Sequence, residues 1–286
     1  MTFRNFQSMT DITADSRMKA LTARISGCRG LLIAFSGGVD SGLLAALARE
    51  IAGEPVRAVY INSPFAPRSE VRDAEDMAHS LGLAFEIISV PFPGEAVSSN
   101  PPDRCYHCKK SWSRVLLRRA EELGLSCVAD GAHSSDLSEH RPGLRASTEE
   151  GIIHPFIEAG ITKADIRRIA RERGLPFWDK PSAACLASRI PYGETITEEK
   201  LRRVEAAEAI LHTEGFSGIR VRSHGGIARI EVSGNDMPRL VAMRDRVVHL
   251  VKKAGFSYVT LDLAGYRSGS MDEVLPSPIP REREGS

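Results

Sequence analysis

Two groups of residues in this 286-residue chain have the types and spacing to do chemistry. The first is Ser36-Gly37-Gly38-Val39-Asp40-Ser41. It lies between the apolar run Leu31-Leu32-Ile33-Ala34-Phe35 and the helix-forming stretch Gly42-Leu43-Leu44-Ala45-Ala46-Leu47. Gly37 and Gly38 carry no Cβ, so backbone N–H groups can close around an anion. The helix that follows aims its positive end at the same point. A phosphate cradle is expected here. It is not a Walker loop, because Gly-Lys-Ser/Thr is missing, and not a dinucleotide fingerprint, because G-x-G-x-x-G is missing. The second group is Cys105-Tyr106-His107-Cys108 with Cys185, which lies in the loop 180–189. A thiolate at the expected helix start is favoured by the dipole and by Arg104, Lys109 and Lys110. Zinc wants four ligands, and His107 does not easily join a chelate between two cysteines. Three thiolates can hold a [4Fe–4S] cluster and leave one iron open. Cys28 and Cys127 sit beside or within expected strands and read as core residues.

These residues need a scaffold, and the hydrophobic spacing supplies one. Strands are expected at 31–35, 56–61, 84–90 and 125–129, with helices at 12–25, 67–81, 105–123 and 162–173. Alternating strands and helices give an α/β fold with a doubly wound parallel sheet. Its ligands bind at the carboxyl ends of the strands, where the cradle and Asp130-Gly131 both fall. Beyond the Pro-, Ser- and Arg-rich segment 175–193 the pattern changes. A helix at 197–211, short strands at 218–222 and 227–232, a helix at 236–254 and a strand at 256–263 make a smaller α+β domain. The expected division is residues 1–180, then 190–275, then a disordered tail at 276–286; residues 1–10 read as irregular.

Composition narrows the class. Hydrophobic residues at 42% support a proper core. A net charge of +1 lacks the basic footprint of nucleic-acid binding. No apolar run reaches the roughly 18–20 residues that cross a membrane, and no secretory signal is apparent. A cytoplasmic enzyme is expected, with its five cysteines as thiols or metal ligands rather than a disulfide framework.

Ser-Gly-Gly-x-Asp-Ser resembles the PP-loop of the ATP pyrophosphatases, which split ATP into AMP and pyrophosphate. The resemblance implies that Ser36, Gly37, Gly38 and Ser41 hold the pyrophosphate and that Asp40 helps position Mg²⁺. Further segments narrow it: Asp130-Gly131-Ala132-His133-Ser134-Ser135-Asp136, Arg141-Pro142-Gly143, Trp178-Asp179-Lys180-Pro181, Ala184-Cys185-Leu186-Ala187-Ser188-Arg189-Ile190-Pro191-Tyr192-Gly193, and Leu261–Ser270 with its Gly265-Tyr266-Arg267-Ser268-Gly269-Ser270. Together they resemble the LarE family of ATP-dependent sulfur transferases, over residues 15–275. That resemblance implies adenylation of a carboxylate on a pyridinium-3,5-biscarboxylic acid mononucleotide, then sulfur attack, in a homo-oligomer. It implies one of two sulfur sources: Cys185 sacrificed to dehydroalanine, or a [4Fe–4S] cluster on Cys105, Cys108 and Cys185. The cluster is preferred, because the two extra thiols otherwise lack a role.

Several charged residues suit a nucleotide substrate. Arg220 and Arg222 alternate on a strand and can share a face, and paired guanidiniums bind a phosphate monoester. Ser188 and Arg189 adjoin Cys185. Glu208 and Glu231 can orient the arginines or bind Mg²⁺, and Asp130 and Asp136 can approach the ATP. Three rival readings exist: a tRNA thiolation enzyme, which wants a basic patch or added RNA domain; an amide-forming NAD or GMP synthetase, which leaves the cysteines idle; and a nucleotide or iron–sulfur sensor without chemistry.

Overall fold

Strand β1 (Leu31–Ala34) carries three side chains with no solvent exposure, which requires cover on both faces. In this computed structural model, which describes residues 16–53, 55–138, 141–181, 185–267 and 269–275, that cover is present. Leu31 and Ile33 pack with Ala58 and Tyr60 into the larger core, and Leu32 packs with Val59 and Val128 into a second cluster on the opposite face. The alternation is the period of two expected of a strand. Helices α1 (Ser16–Ser26), α2 (Val39–Ile51) and α3 (Arg68–Ser80) contribute to the larger core. Leu116 and Ala120 of α4 (Arg104–Glu122) cover the other face.

With β2 (Val56–Asn62), β3 (Ala84–Ser89) and β4 (Cys127–Ala129) the sheet runs β3-β2-β1-β4, and every pairing is parallel. The expected parallel α/β sheet is thus present. The chain leaves β1 for β2 and β3 on one side and returns to β4 on the other, so the order reverses between β1 and β4. Such a switch point is where open parallel sheets take ligands. Two longer helices also belong to this part: α5 (Pro142–Glu149), which the sequence reading missed, and α6 (Lys163–Glu172), opened by a reciprocal Thr162–Asp165 capping box.

One expectation about the cysteines is corrected. Cys28 and Cys127 are joined in a disulfide, with Cα atoms 5.8 Å apart. Register explains the pairing: Leu31 of β1 lies opposite Cys127 of β4, which brings the residues just before β1 close to β4. Partners 99 residues apart leave no spacing signature in the sequence.

The described residues divide into two compact units, one of 16–97 and 103–181, the other of 98–102 and 185–275. In the second unit α7 (Glu198–Thr213) precedes an antiparallel hairpin, β5 (Arg220–His224) and β6 (Ile227–Glu231), and β7 (Tyr258–Leu261) lies parallel to β6. The single helix expected at 236–254 is two, α8 (Met237–Ala242) and α9 (Arg244–Lys253), broken at Met243. Apolar spacing continues across the break, so periodicity alone reads one helix.

The 98–102 segment belongs to this second unit. Asn100 is fully buried with φ +58, a conformation Asn tolerates better than most residues. Its amide donates to the carbonyls of Ile190 (3.1 Å) and Pro191 (2.7 Å), and its own carbonyl accepts from the Gly193 N–H. Among the described residues no helix is long and apolar enough to cross a membrane. The irregular start and disordered tail expected from the sequence lie outside the described residues, apart from the last part of the 12–25 helix, which is present in α1.

Candidate functional site

The cradle forms where β1 ends and α2 begins, and a network of its own shapes it. The Ser41 hydroxyl accepts from the Ser36 N–H (3.1 Å), lies 3.1 Å from the Ser36 hydroxyl and donates to the Gly38 carbonyl (3.3 Å). Ser41 is buried, so its side chain folds the loop from within. Gly37 has φ +70, and a Cβ there would sit 2.8 Å from Ala74 Cα. Gly38 is the N-cap of α2 and supplies no side-chain cap. The first-turn N–H groups at 39–41 therefore have no intrahelical acceptor and face outward at the positive end of the helix. That is an anion site of backbone donors.

A strap from the end of β4 presses on the cradle. A Cβ at Gly131 would lie 2.7 Å from the Ser41 nitrogen and 2.8 Å from the Asp40 carbonyl carbon, so only glycine lets the two backbones meet. Gly131→Ala should destabilise the protein by about 1–3 kcal/mol through forced backbone displacement. Gly94→Ala, where a Cβ meets nothing within 4 Å, should change little. Equal denaturation midpoints for the two variants would show that the close approach is not needed.

Asp130, which the sequence reading allows to approach the ATP, directly precedes the Gly131 that abuts the cradle, and its carboxylate is engaged by three neighbours. It is buried, accepts from His154 Nδ1 at 2.7 Å and from the Ala132 N–H at 3.2 Å, and pairs with Lys109 at 3.1 Å. Burial pushes this carboxyl up, but the Lys109 ammonium and His154 outweigh burial and hold it well below the usual carboxylate range. A depressed folded value stabilises the protein above the unfolded carboxylate pKa and ceases to as pH falls toward the folded one. Asp130→Asn should therefore cost about 2–4 kcal/mol at neutral pH by stranding Lys109 and His154. It should also flatten the acid limb of a stability–pH curve below about pH 4. An unchanged acid limb would show that this carboxylate is not what the limb reports.

Asp40 is held by Lys163, whose Nζ lies 2.5 and 2.6 Å from the two carboxylate oxygens. His133 Nε2 stands 4.0 Å from the same carboxylate. Asp136 faces inward, accepting from the His133 N–H at 3.0 Å and pairing with Arg141 at 3.0 Å. The sequence reading missed Lys163. One signal was available: a lysine in the first turn of a helix opposes the dipole, so something else must place it there.

The C-x-x-C opens α4 as expected. Cys105 is exposed and Cys108 buried, and neither is disulfide-bonded. The Arg104 guanidinium lies 3.8 Å from the Cys105 sulfur. Lys109 and Lys110, expected to favour a thiolate, are turned to carboxylates instead, Lys109 to Asp130 and Lys110 to Glu149 and Glu150.

Within the second unit the fold gathers Cys185, Ser188, Arg189, Glu208, Arg222 and Glu231. Cys185 is exposed and precedes the 3₁₀ turn Leu186–Arg189. Its carbonyl accepts from the Ser188 hydroxyl (2.8 Å) and from Arg189 Nη1 (3.2 Å). Arg189 forks onto Glu208 with two 2.9 Å bonds, and Glu208 also accepts from the Val221 N–H. Arg222, 5% exposed, forks onto Glu231, 0% exposed, at 3.0 and 2.8 Å. It also donates to the Ser188 carbonyl and to Ser270. Arg222 is therefore committed on every side and braces the turn that carries Cys185. Arg220 differs. Its guanidinium stacks over the Tyr266 ring at 5.0 Å and donates to the Ile219 carbonyl. Burial, then the neighbouring Arg189 guanidinium, press its pKa below the usual guanidinium range. A partly buried cation repelled by a second one is suited to an anion. Tyr266 and Ser270 were visible in the sequence only as members of a motif.

Among the described residues no three His, Cys, Asp or Glu side chains are gathered to hold a metal ion. Mg²⁺ is commonly bound by one or two carboxylates together with substrate phosphates, and Asp40 at the cradle is a carboxylate of that kind. An iron–sulfur cluster fares differently. Cys105 and Cys108 belong to the first unit and Cys185 to the second, so neither unit alone supplies three thiols. The donor chemistry, three thiols outside the disulfide, is right for a cluster.

Comparison with known proteins adds the following. Residues 16–110 match the family model "NAD synthase". The chain is 41% identical to an uncharacterized protein of Synechocystis sp., over 85% of this chain and 92% of that one. It is 36% identical to pyridinium-3,5-bisthiocarboxylic acid mononucleotide synthase of Lactiplantibacillus plantarum, over 92% of this chain and 96% of that one. It is also 30% identical to the tRNA-specific 2-thiouridylase MnmA of Azorhizobium caulinodans, over 65% of this chain and 57% of that protein.

Proposed function

The chain belongs to the LarE family of PP-loop proteins, and from that premise we propose that it inserts sulfur into pyridinium-3,5-biscarboxylic acid mononucleotide in an ATP-dependent reaction. The near full-length likeness to the bisthiocarboxylate synthase carries this reading. A carboxylate is inert to a sulfur nucleophile until one oxygen becomes a leaving group. In the proposed first step a ring carboxylate attacks the α-phosphorus of ATP and pyrophosphate leaves, held by the N–H groups of the 36–41 cradle. Asp40 would hold Mg²⁺, which supplies charge neutralisation at the phosphates. In the second step the Cys185 thiolate attacks the acyl carbon, the C–O bond to AMP breaks, and the pyridinium is held as a thioester. Loss of the Cys185 Cα proton then breaks the Cβ–S bond, releasing the thiocarboxylate and leaving dehydroalanine.

Arg220 is the residue proposed to take the substrate phosphate. Arg222, Glu231, Arg189, Glu208 and Ser188 fix the Cys185 turn. Cys185 is common to both sulfur sources, its own sacrifice and a [4Fe–4S] cluster shared with Cys105 and Cys108, and the steps above follow the first. The test is anaerobic purification followed by turnover with ATP and the pyridinium substrate. Colourless, iron-free protein that releases pyrophosphate and loses the mass of H₂S supports sacrifice of Cys185. Brown, iron-bearing protein of unchanged mass moves the source to a cluster. No pyrophosphate release with this substrate defeats the proposal.

A further inference from the structure

The Cys28–Cys127 disulfide takes no part in the proposed chemistry. A 286-residue chain with a core of its own also does not need a covalent staple in the way a small secreted domain does. The two ends of the disulfide are unequal. Cys28 is 3% exposed. Cys127 is half-buried and lines a cavity of about 430 Å³, a volume that suits a small molecule. Leu117, Ala120 and Ile153 give the cavity apolar walls, and Arg24 and Glu121 place one charge of each sign on it.

Both sulfurs have partners ready for an open state. The Arg24 carbonyl lies 3.8 Å from the Cys28 sulfur and can accept from a Cys28 S–H. The Ser126 hydroxyl lies 3.6 Å from the Cys127 sulfur and can donate to a thiolate there. The bond also sits where its opening has consequences. Strand β4 is three residues long and stands at an edge of the sheet. It pairs with β1 on one side and meets Ile153 through a single bridge at Ala129 on the other. The disulfide ties its first residue to the turn before β1, across 99 positions of chain. Two residues past its end, Gly131 abuts the backbone of Asp40 and Ser41.

We propose that Cys127 is a thiol–disulfide exchange site for a small amino-acid or peptide thiol, and that opening the disulfide loosens the strap leading from β4 to the cradle. The incoming thiolate attacks the Cys127 sulfur, the Cys28–Cys127 bond breaks, and Cys28 leaves as a thiolate that takes up a proton. A second molecule of the thiol attacks the mixed disulfide and departs as the symmetrical disulfide, and Cys127 becomes a thiol. The protein gains two electrons and two protons, and two small thiols are oxidised to one disulfide. Access directs the attack to Cys127 rather than Cys28. The carboxylate and ammonium of such a thiol find Arg24 and Glu121 on the cavity wall.

The test treats the full protein, without denaturant, with glutathione at graded ratios of reduced to oxidised form. Alkylation quenches the exchange, and peptide mapping locates the products. The pair should open, and the mixed disulfide should sit on Cys127 at least about tenfold more often than on Cys28. Arg24→Gln should slow opening by glutathione about threefold or more. In the reduced protein, amide hydrogen exchange should rise several-fold over residues 125–133 and stay level over 227–231. Thermal melts report that the reduced protein and the variant are folded. Each of four results overturns the inference: a pair that opens only in denaturant or only with a thioredoxin-type protein, Cys28 modified as readily as Cys127, a folded Arg24→Gln that opens at the parent rate, or unchanged hydrogen exchange over 125–133 after reduction.

Discussion

Cys185→Ala should make no thiocarboxylate, a fall on the order of a thousandfold or more, while still releasing pyrophosphate from ATP in the presence of the pyridinium substrate. The two halves separate because they use different groups. On the proposed reading, activation uses the backbone donors of residues 36–41 and a Mg²⁺ held by Asp40. Sulfur delivery needs a thiol, and Cys185 is an exposed one whose backbone is fixed by Ser188 and Arg189. Cys105→Ala and Cys108→Ala sharpen the result. Both should stay within a few-fold of the parent if Cys185 is the donor, and both should fall with Cys185→Ala if a cluster is. Full thiocarboxylate formation by Cys185→Ala would remove sulfur from this position altogether. The measurement is product mass beside released pyrophosphate in the same single-turnover sample.

Glu231→Ala should destabilise the protein by about 3–5 kcal/mol, the usual cost of breaking a buried ion pair from one side. Glu231 has no solvent exposure and accepts from Arg222 twice, from Arg229 at 3.0 Å and from Ser270 at 3.2 Å. Its removal leaves the Arg222 guanidinium buried with no carboxylate. Arg222→Met/Glu231→Leu should recover much of the loss, since an apolar pair of similar volume strands no charge. The recovered variant should still transfer sulfur poorly, because Arg222 also holds the Ser188 carbonyl beside Cys185. Chemical denaturation reads the first effect and single-turnover sulfur transfer the second. A Glu231→Ala midpoint within 1 kcal/mol of the parent would show that the pair carries little of the fold's stability.

The cradle was legible because six adjacent residues and their flanking strand and helix carry the whole signal. The parallel sheet was legible from apolar runs and glycine stops, such as Gly82 (φ +61) and Gly124 (φ +68). What sequence could not reach was pairing across distance. Arg220 and Arg222 look alike on one strand. Yet Glu231 sits opposite Arg220 in register and is gripped diagonally by Arg222, two positions along. One arginine is thereby consumed and the other is left to a ring. Lys163 and Asp40 lie 123 residues apart, and Cys28 and Cys127 lie 99 apart. No local spacing encodes such meetings. The helix at 142–149 was missed because Pro142-Gly143 reads as a turn, although proline is well suited to a first helical position.

The burial of Asn100 bears on how the chain is made. Its carbonyl and amide are satisfied by residues 190, 191 and 193, and the nearest of these follows it by 90 positions. On a ribosome adding about 5–20 residues per second, the 98–102 segment waits on the order of ten seconds for its partners. Through that interval the Ser98 and Asn100 carbonyls and the Asn100 amide lack the later residues that bond them in the finished fold. A carboxyl-terminal fragment that begins at Cys185 would lack five residues of its own unit, Ser98–Pro102, and with them the Asn100 bonds to residues 190, 191 and 193.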